Sequence, residues 1–379
     1  MSNSGKSFEL KRFLLKKNLI NKLNSSLNKF LNLIVINFNK FMKISYIPHP
    51  RNSIHVETTS LCNLKCKFCA YDKRDLNLHP SQTMKIENFK NIINQCIDQK
   101  YKYIGLTPTT GDIFMDKNIF EKLKLLNNCP DIKGFFFYTN FIPINKDKII
   151  DLISFEKLRF LGLSIYGHDK ENFINFTKST EVAYKKLIEN LEKLEILLSQ
   201  SKNKIKNISL NLRSTKDFLL EKNNSDLSKI IKKIIKYEFV TYTYTHEYNN
   251  WGNIIKREDV KDLNIHFADQ NSLKNGACSL IFGKNIIGVN GNVNACACRD
   301  ANFSLRLGNV FDKNLGDILS KKNETYNQLI NDQNKGNFPD VCKSCDFYTS
   351  IYLPKNRRGY TEVSEKDLKS IDEFYEIIN

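Results

Sequence analysis

From residue 53 onward, short apolar or β-branched runs alternate with stretches of helical period. The runs are SIHVETT (53–59), YIGLTPT (103–109), GFFFYTN (134–140), FLGLSIYG (160–167), ISLNLRS (208–214) and EFVTYTYT (238–245). Between them lie segments such as MKIENFKNIINQCIDQ and AYKKLIENLEKLEILLSQ, whose apolar residues recur every three or four positions. Six such alternations predict a parallel sheet with helices outside it, either an open doubly wound sheet or a barrel. In both, ligands bind at the C-terminal ends of the strands.

Two flanking regions have a different texture. Across residues 8–43, Ile20, Leu23, Leu27, Phe30, Ile34, Phe38 and Phe41 form a helical stripe with lysines between them, ended by Pro48, Pro50 and Asn52. A basic amphipathic helix can lie on a membrane surface, but packing across the outside of a barrel is the commoner fate of such a stripe and is the expectation here. Past residue 250 glycines, short strands and cysteines predict a smaller second domain. In VSEKDLKSIDEFYEIIN, Ser364 and Asp367 read as a capping box before a docking helix. The expected divisions are a helical extension (1–50), an α/β core (51–250), a cysteine-rich domain (251–353) and a C-terminal helix (354–379).

Composition narrows the class. With 41% hydrophobic and 26% charged residues in 379, the chain can bury a large core. No run approaches the ~18 apolar residues of a membrane span, and the N-terminus lacks a signal-peptide pattern. A cytoplasmic protein is the expectation, with peripheral contact at the inner membrane face through residues 8–43 as an option. Ten cysteines in that compartment argue for metal or redox chemistry over disulfides. Cys96 and Cys129 stand alone and read as incidental or buried thiols. The net charge of +17 would suit acidic partners, but residues 1–50 carry nine Lys/Arg against Glu9 alone. No nucleic-acid-binding motif accompanies the charge, so none is expected to bind.

The chemistry concentrates in CNLKCKFC, where Cys62, Cys66 and Cys69 follow the first strand. Zinc normally takes four ligands, and a structural knuckle would need His55 or His79 as the fourth. Three thiolates on one loop can instead hold an iron–sulfur cluster with one iron open. The motif resembles the signature of the radical S-adenosylmethionine (SAM) superfamily. That resemblance implies a partial (β/α)6 TIM-type barrel and a [4Fe–4S] cluster on the three cysteines, whose open iron chelates SAM. Reductive cleavage of SAM would then yield a 5′-deoxyadenosyl radical that takes a hydrogen from substrate. Phe68, before the third cysteine, would pack on adenine.

Later segments resemble the family's other SAM contacts. Thr110-Gly111-Asp112 stands where the family commonly has GGEP, with Asp for Glu and Thr for one Gly, and its backbone oxygens and Asp112 would meet the SAM ammonium. YTNF (138–141) resembles TNG with Phe141 for Gly, and LSIYG (163–167) resembles SIDG, where Ser164 would hydrogen-bond SAM. Arg213, ending strand five, could pair with the methionine carboxylate, a task suited to guanidinium.

In the second cluster, Cys278, Gly291 and Cys296 fall in a CX12GX4C pattern, with Cys342 and Cys345 further on. This resembles a SPASM domain, in a shortened "twitch" form holding one auxiliary [4Fe–4S] cluster. The expected ligands are Cys278, Cys296, Cys342 and Cys345, with Cys298 of ACAC competing for the place of Cys296. A zinc ribbon is the alternative that spacing alone leaves open.

The reaction expected from the resemblance is abstraction of hydrogen from a polar small molecule, sugar-like or phosphorylated. The outcome would be a dehydrogenation or related oxidation, with electrons from a reducing partner such as flavodoxin or ferredoxin. THEYNNWGN (245–253), after strand six, supplies His246, Glu247, Tyr248 and Trp251 near the barrel mouth, with His246 and Glu247 the candidate bases and packing of the domain junction by Trp251 the alternative reading. Peptide or protein maturation is one alternative, and a non-catalytic cluster scaffold at a membrane surface is another.

Overall fold

The computed structural model describes residues 27–200, 203–215, 224–245, 247–263, 265–267, 274–358 and 367–379. Six parallel strands form the centre: β1 (Ser53–Val56), β2 (Tyr103–Gly105), β3 (Gly134–Thr139), β4 (Leu158–Tyr166), β5 (Ile208–Arg213) and β6 (Val240–Thr245). They neighbour one another in chain order from β1 to β6, with no reversal. A doubly wound sheet would reverse at its centre, so the sequential order decides for a partial barrel.

Two short strands, β7 (Glu247–Tyr248) and β8 (His266–Phe267), pair with each other in parallel. Three more, β9 (Ile286–Ile287), β10 (Asn292–Asn294) and β11 (Arg306–Asn309), extend the barrel sheet itself. Strand β9 runs parallel to β1, with His55 beside Ile286, and β10 and β11 follow antiparallel. The cysteine-rich region thus adds its strands to the free edge of β1, next to the loop carrying Cys62.

Alternation along the strands separates two faces. On β4 and β5, Leu161, Leu163, Ile165, Ile208, Leu210 and Leu212 are buried toward the helices. The intervening positions carry Ser164, Tyr166, Ser209, Asn211 and Arg213, with Ser164 beside Asn211 and Tyr166 beside Arg213. One face of these strands is therefore polar, a departure from the all-apolar strands of a fully packed parallel sheet.

After the N-terminal helix α1 (residues 27–41), the outer layer includes α2 (Ile86–Asp98), α3 (Ile119–Asn128), α4 (Ile149–Ile153), α5 (Lys170–Thr177), α6 (Glu181–Leu198) and α7 (Asp226–Ile234). Local chemistry starts several of them. The side chains of Asp169, Thr180 and Ser225 accept backbone N–H bonds at the first turns of α5, α6 and α7, each such cap contributing ~1 kcal/mol. Helix α6 buries Tyr184, Leu187, Leu191, Leu194 and Leu198, a single stripe. Cys96 lies in the core on α2, and Cys129 packs partly buried against it.

Two expectations need correction. The N-terminal helix, described over residues 27–41, turns the predicted apolar stripe to solvent: Leu27, Phe30, Ile34, Phe38 and Phe41 are all exposed. The inward face carries only Ile36 among fully buried apolar residues, together with Asn39. Ile36 joins the core, and hydrogen bonds to the body are made by Asn39, Lys40 and Asn37, which the periodicity could not reveal. At the C-terminus the helix Ile371–Ile377 is capped by Ser370, whose hydroxyl accepts from the Glu373 N–H at 3.0 Å. Ser364 lies outside the described residues, and Asp367 stands 3.8 Å from the Arg358 guanidinium instead of capping. That helix docks by Phe374, edge-on to Phe282 at 4.8 Å.

Candidate active site

A cavity of about 150 Å³ opens at the C-terminal ends of the strands. All three thiols of the 62–69 loop line it, together with Phe68, Thr110, Gly111, Asp112, Ser164 and Arg213. The residues expected to meet SAM and its cluster are therefore brought to one place, although together they span 151 intervals of chain, from Cys62 to Arg213.

The cysteine loop is held by its neighbours. Lys65 and Lys67 donate their backbone N–H groups to Thr177 and Phe176 at the end of α5, both at 3.1 Å. The Asn140 amide donates to Asn63 Oδ1 at 2.8 Å, tying the end of β3 to the loop. The Asp112 N–H donates to Leu61 O at 2.8 Å. At Gly111 a Cβ would lie 3.0 Å from that same carbonyl and 3.1 Å from Pro108 Cβ, so the two loops approach this closely only because the side chain is absent.

Asp112 is buried, and both carboxylate oxygens are engaged within the protein. Oδ1 accepts from the Phe114 N–H at 3.0 Å, Oδ2 from the Asn140 N–H at 2.7 Å, and the Thr139 hydroxyl lies within 3.0 Å of each. Burial raises its pKa, opposed by those backbone and hydroxyl donors. The carboxylate fastens the β2 loop to the end of β3. Thr109 and Thr110 differ: their buried hydroxyls have no partner among the described residues. Phe141 occupies a left-handed conformation (φ 63°), one that glycine adopts at less cost.

Aromatic rings build one wall. Phe68 packs against Tyr248 (centroids 4.8 Å), Tyr166 (5.0 Å) and Phe176 (6.1 Å). The Arg213 guanidinium sits 5.7 Å from the Tyr248 ring and is a charged neighbour of Cys66 and Cys69. Burial pushes the Tyr166 and Tyr248 phenols up, so both remain protonated donors at neutral pH. Trp251 lines the cavity and donates Nε1–H to the Phe68 carbonyl at 3.1 Å. Its ring also meets Arg299, which stacks on Phe347 at 4.7 Å and faces Asp346 at 3.5 Å. Trp251 thus lines the cavity and packs the junction with the second cysteine region. His246 lies outside the described residues, and of Glu247 only the backbone pairing in β7 is described.

The histidines offered as zinc ligands are engaged elsewhere. His79 bonds Glu57 Oε2 through Nε2 at 2.7 Å and Ala301 O through Nδ1 at 2.9 Å. Glu57, fully buried, also accepts from the Thr109 N–H at 2.9 Å. The ring of His55 lies under Gly105 and edge-on to Phe136, and burial lowers its pKa to about 3. Among the described residues no three His, Cys, Asp or Glu side chains converge on one metal ion; the three thiols of the 62–69 loop line the cavity. The Glu57–His79 link joins β1, the β2 loop and the second cysteine region. Its one sequence signal was a carboxylate in an otherwise uncharged strand end.

The second group gathers Cys278, Cys296, Cys298, Cys342 and Cys345 as electrostatic neighbours. Cys278 N–H donates to Gln333 Oε1 at 2.9 Å, and the same amide turns its Nε2 toward Cys342 Sγ at 3.5 Å. Burial pushes the Cys278 thiol up to about 12. At five cysteines across both groups, the backbone N–H two residues on faces the sulfur: Leu64 at Cys62, Tyr71 at Cys69, Leu280 at Cys278, Cys298 at Cys296 (3.4 Å) and Phe347 at Cys345 (3.3 Å). Such N–H···S bonds favour thiolate and tune a cluster. Gly291, with φ 81°, turns the β9–β10 hairpin where a Cβ would strike the Phe311 ring at 2.5 Å.

Residues 56–203 match the Radical SAM superfamily, and residues 278–346 match an iron–sulfur cluster-binding domain, SPASM. Two curated relatives, the GTP 3′,8-cyclases of Clostridium perfringens strains SM101 and 13, are each 24% identical over 148 residues, 38% of this chain and 45% of theirs. The chain thus spans less than half the length of the curated relatives it matches. Among solved structures, BtrN in complex with AdoMet and 2-DOIA is 16% identical, covering 81% of this chain and 97% of that one, with a TM-score of 0.47. Streptococcus suis SuiB bound to precursor peptide SuiA is 15% identical, covering 86% and 78%, with a TM-score of 0.48.

Proposed function

This chain belongs to the radical SAM superfamily and carries a SPASM iron–sulfur cluster-binding domain, and from that premise we propose that it oxidises a polar small molecule by hydrogen abstraction. The observation that carries the reading is the shared cavity, where three thiols on one loop meet Arg213, Ser164 and the Thr110–Asp112 turn. When bound, the reduced cluster and SAM supply a 5′-deoxyadenosyl radical, and an auxiliary cluster supplies an acceptor for the second electron.

The chain's own groups position the reactants. Cys62, Cys66 and Cys69 hold the SAM-binding cluster, and Arg213 takes the SAM carboxylate while Ser164 and the unpartnered Thr110 hydroxyl hydrogen-bond nearby. With the Asp112 oxygens already engaged, the carbonyls of residues 109–111 receive the ammonium, and Asp112 acts as a positioning residue. Phe68, backed by Tyr166 and Tyr248, offers the aromatic face for adenine. The protonated Tyr166 phenol on the polar strand face, with Tyr138 also lining the cavity, suits a hydroxyl-rich substrate. His246 or Glu247 is the proposed base, since the same segment brings Trp251 to the cavity.

For the auxiliary site we assign Cys278, Cys296, Cys342 and Cys345, with Cys296 chosen over Cys298 because its sulfur receives the same N–H two residues on as Cys278 and Cys345 do. Electrons would come from a flavodoxin- or ferredoxin-like donor.

Anaerobic reconstitution followed by iron and sulfide analysis should give about eight of each per chain, the content of two [4Fe–4S] clusters. Strong reduction with SAM should release 5′-deoxyadenosine, and deuterated polyols or sugar phosphates should pass deuterium into it. Arg213→Lys should keep the iron and lose at least about tenfold in SAM affinity, because an ammonium cannot make the bidentate contact. Stoichiometric zinc without 5′-deoxyadenosine would overturn the proposal. Deuterium transfer from peptides alone would replace the substrate class.

A further inference from the structure

The helix at 27–41 is mounted with its polar side inward. Asn39 Nδ2 donates to Tyr352 O at 2.9 Å, and Lys40 Nζ donates to Asn275 Oδ1 at 2.7 Å and to Asn334 O at 3.1 Å. Asn275 returns a bond to Asn37 Oδ1 at 2.7 Å, and Arg357 donates to Asn32 Oδ1 at 3.1 Å. A helix buried for its apolar stripe would show the opposite arrangement.

Its outer stripe is wholly apolar. Leu27, Phe30, Ile34, Phe38 and Phe41 follow one another at three- and four-residue steps, with Phe38 59% and Phe41 84% exposed. Met42, also exposed, prolongs it. Besides the inward Lys40, residues 27–43 contain Lys29 and Lys43 and no acidic residue, and the whole of residues 1–50 carries nine basic side chains against Glu9. Leaving such a stripe in water forgoes ~25 cal/mol per Å² of apolar surface, so a surface this contiguous signals a partner.

Charge selects the partner. A second copy would set two strongly basic segments against each other, whereas an anionic bilayer complements them and accepts Phe, Leu and Ile at the headgroup boundary. We propose that this helix seats the protein on an anionic membrane surface, lying in the interface plane. Because Asn275 precedes Cys278 by three residues and Asn334 adjoins Gln333, the seat holds the auxiliary-cysteine side of the molecule against the lipid. This inference is independent of the radical chemistry.

The test is sedimentation of the full reconstituted chain with extruded vesicles, either purely zwitterionic phosphatidylcholine or half phosphatidylglycerol. Binding should favour the anionic vesicles, weaken in molar salt, and fall at least roughly tenfold in the double variant Phe38→Glu, Phe41→Glu. The variant's iron content, circular dichroism and melting temperature should match the parent, since both side chains are exposed. Absence of sedimentation with anionic vesicles would overturn the proposal, as would sedimentation indifferent to the double variant. A concentration-dependent dimer abolished by the same substitutions, with no vesicle binding, would assign the face to a second copy instead.

Discussion

Gly111→Ala tests whether the separation of the SAM loop from the cysteine loop is set by sterics. The added methyl would meet Leu61 O at 3.0 Å, Pro108 Cβ at 3.1 Å and the Ser60 carbonyl carbon at 3.2 Å. None of these atoms is the end of a flexible chain. Leu61 O already accepts the Asp112 N–H at 2.8 Å, and the Ser60 N–H donates to Gln82 O at 3.0 Å. Relief therefore means parting the loops by a few tenths of an ångström and stretching the Asp112–Leu61 bond. Overpacking of this kind costs about 1–3 kcal/mol, and weakening the bond adds up to about 1 kcal/mol. With an unfolding entropy of about 2.1 cal/mol/K per residue over 379 residues, a loss of about 2–3 kcal/mol lowers the melting temperature by about 3 °C. The functional effect should be larger, because misplacement of reacting groups costs rate steeply: 5′-deoxyadenosine formation should fall at least about tenfold while iron content holds. Gly336→Ala is the control, since φ there is 95° and nothing lies within 4 Å of the new Cβ. It should cost only the backbone strain, about 1 kcal/mol, and leave SAM cleavage intact. A Gly111→Ala protein that cleaves SAM at the parent rate would refute the reasoning.

Three further outcomes are expected. Cys296→Ala should lower iron from about eight to about four per chain while Cys298→Ala retains it, as read by iron analysis and by electron paramagnetic resonance of the reduced protein; the reverse pattern would exchange the two roles. Phe141→Gly should relieve about 1 kcal/mol of left-handed strain yet lose a fully buried ring worth about 3–5 kcal/mol on truncation, so denaturant unfolding should show net destabilisation. His55, held at about 3 against an ordinary 6.5 by burial and by Lys284, stays neutral in the fold while the unfolded chain takes a proton. Stability should therefore fall as pH drops through the window from 6.5 to about 3, and His55→Gln should flatten that slope in urea titrations.

Much of the site could be read along the chain because its parts are local. Cys62, Cys66, Phe68 and Cys69 sit on one short loop, so their spacing alone carries the cluster geometry, and Ser164 and Arg213 take their places from the alternation of strands that pair in register. The role of Asp112 was not legible in the same way. Its carboxylate is taken up by Thr139 and Asn140, residues from the next strand end, and which donors reach a carboxylate depends on how two loops meet. Glu57 and His79 were hidden for the same reason, being 22 residues apart and completed by Ala301. Trp251 acquired its double contact only through Arg299.

The sequence by itself determined the alternation of strand and helix, the two cysteine groups and the amphipathic stripe near the N-terminus. Each is a periodicity or a short spacing, set by bonded geometry. Tertiary structure decided that the strands follow one another in barrel order, that β9 joins β1, and that the N-terminal helix turns Asn39 and Lys40 inward and its phenylalanines out. A stripe states that one face is apolar. Which face finds a neighbour depends on the partners available across the fold, and here Asn275, Asn334 and Tyr352 offer hydrogen bonds that Asn39, Lys40 and Asn37 complete.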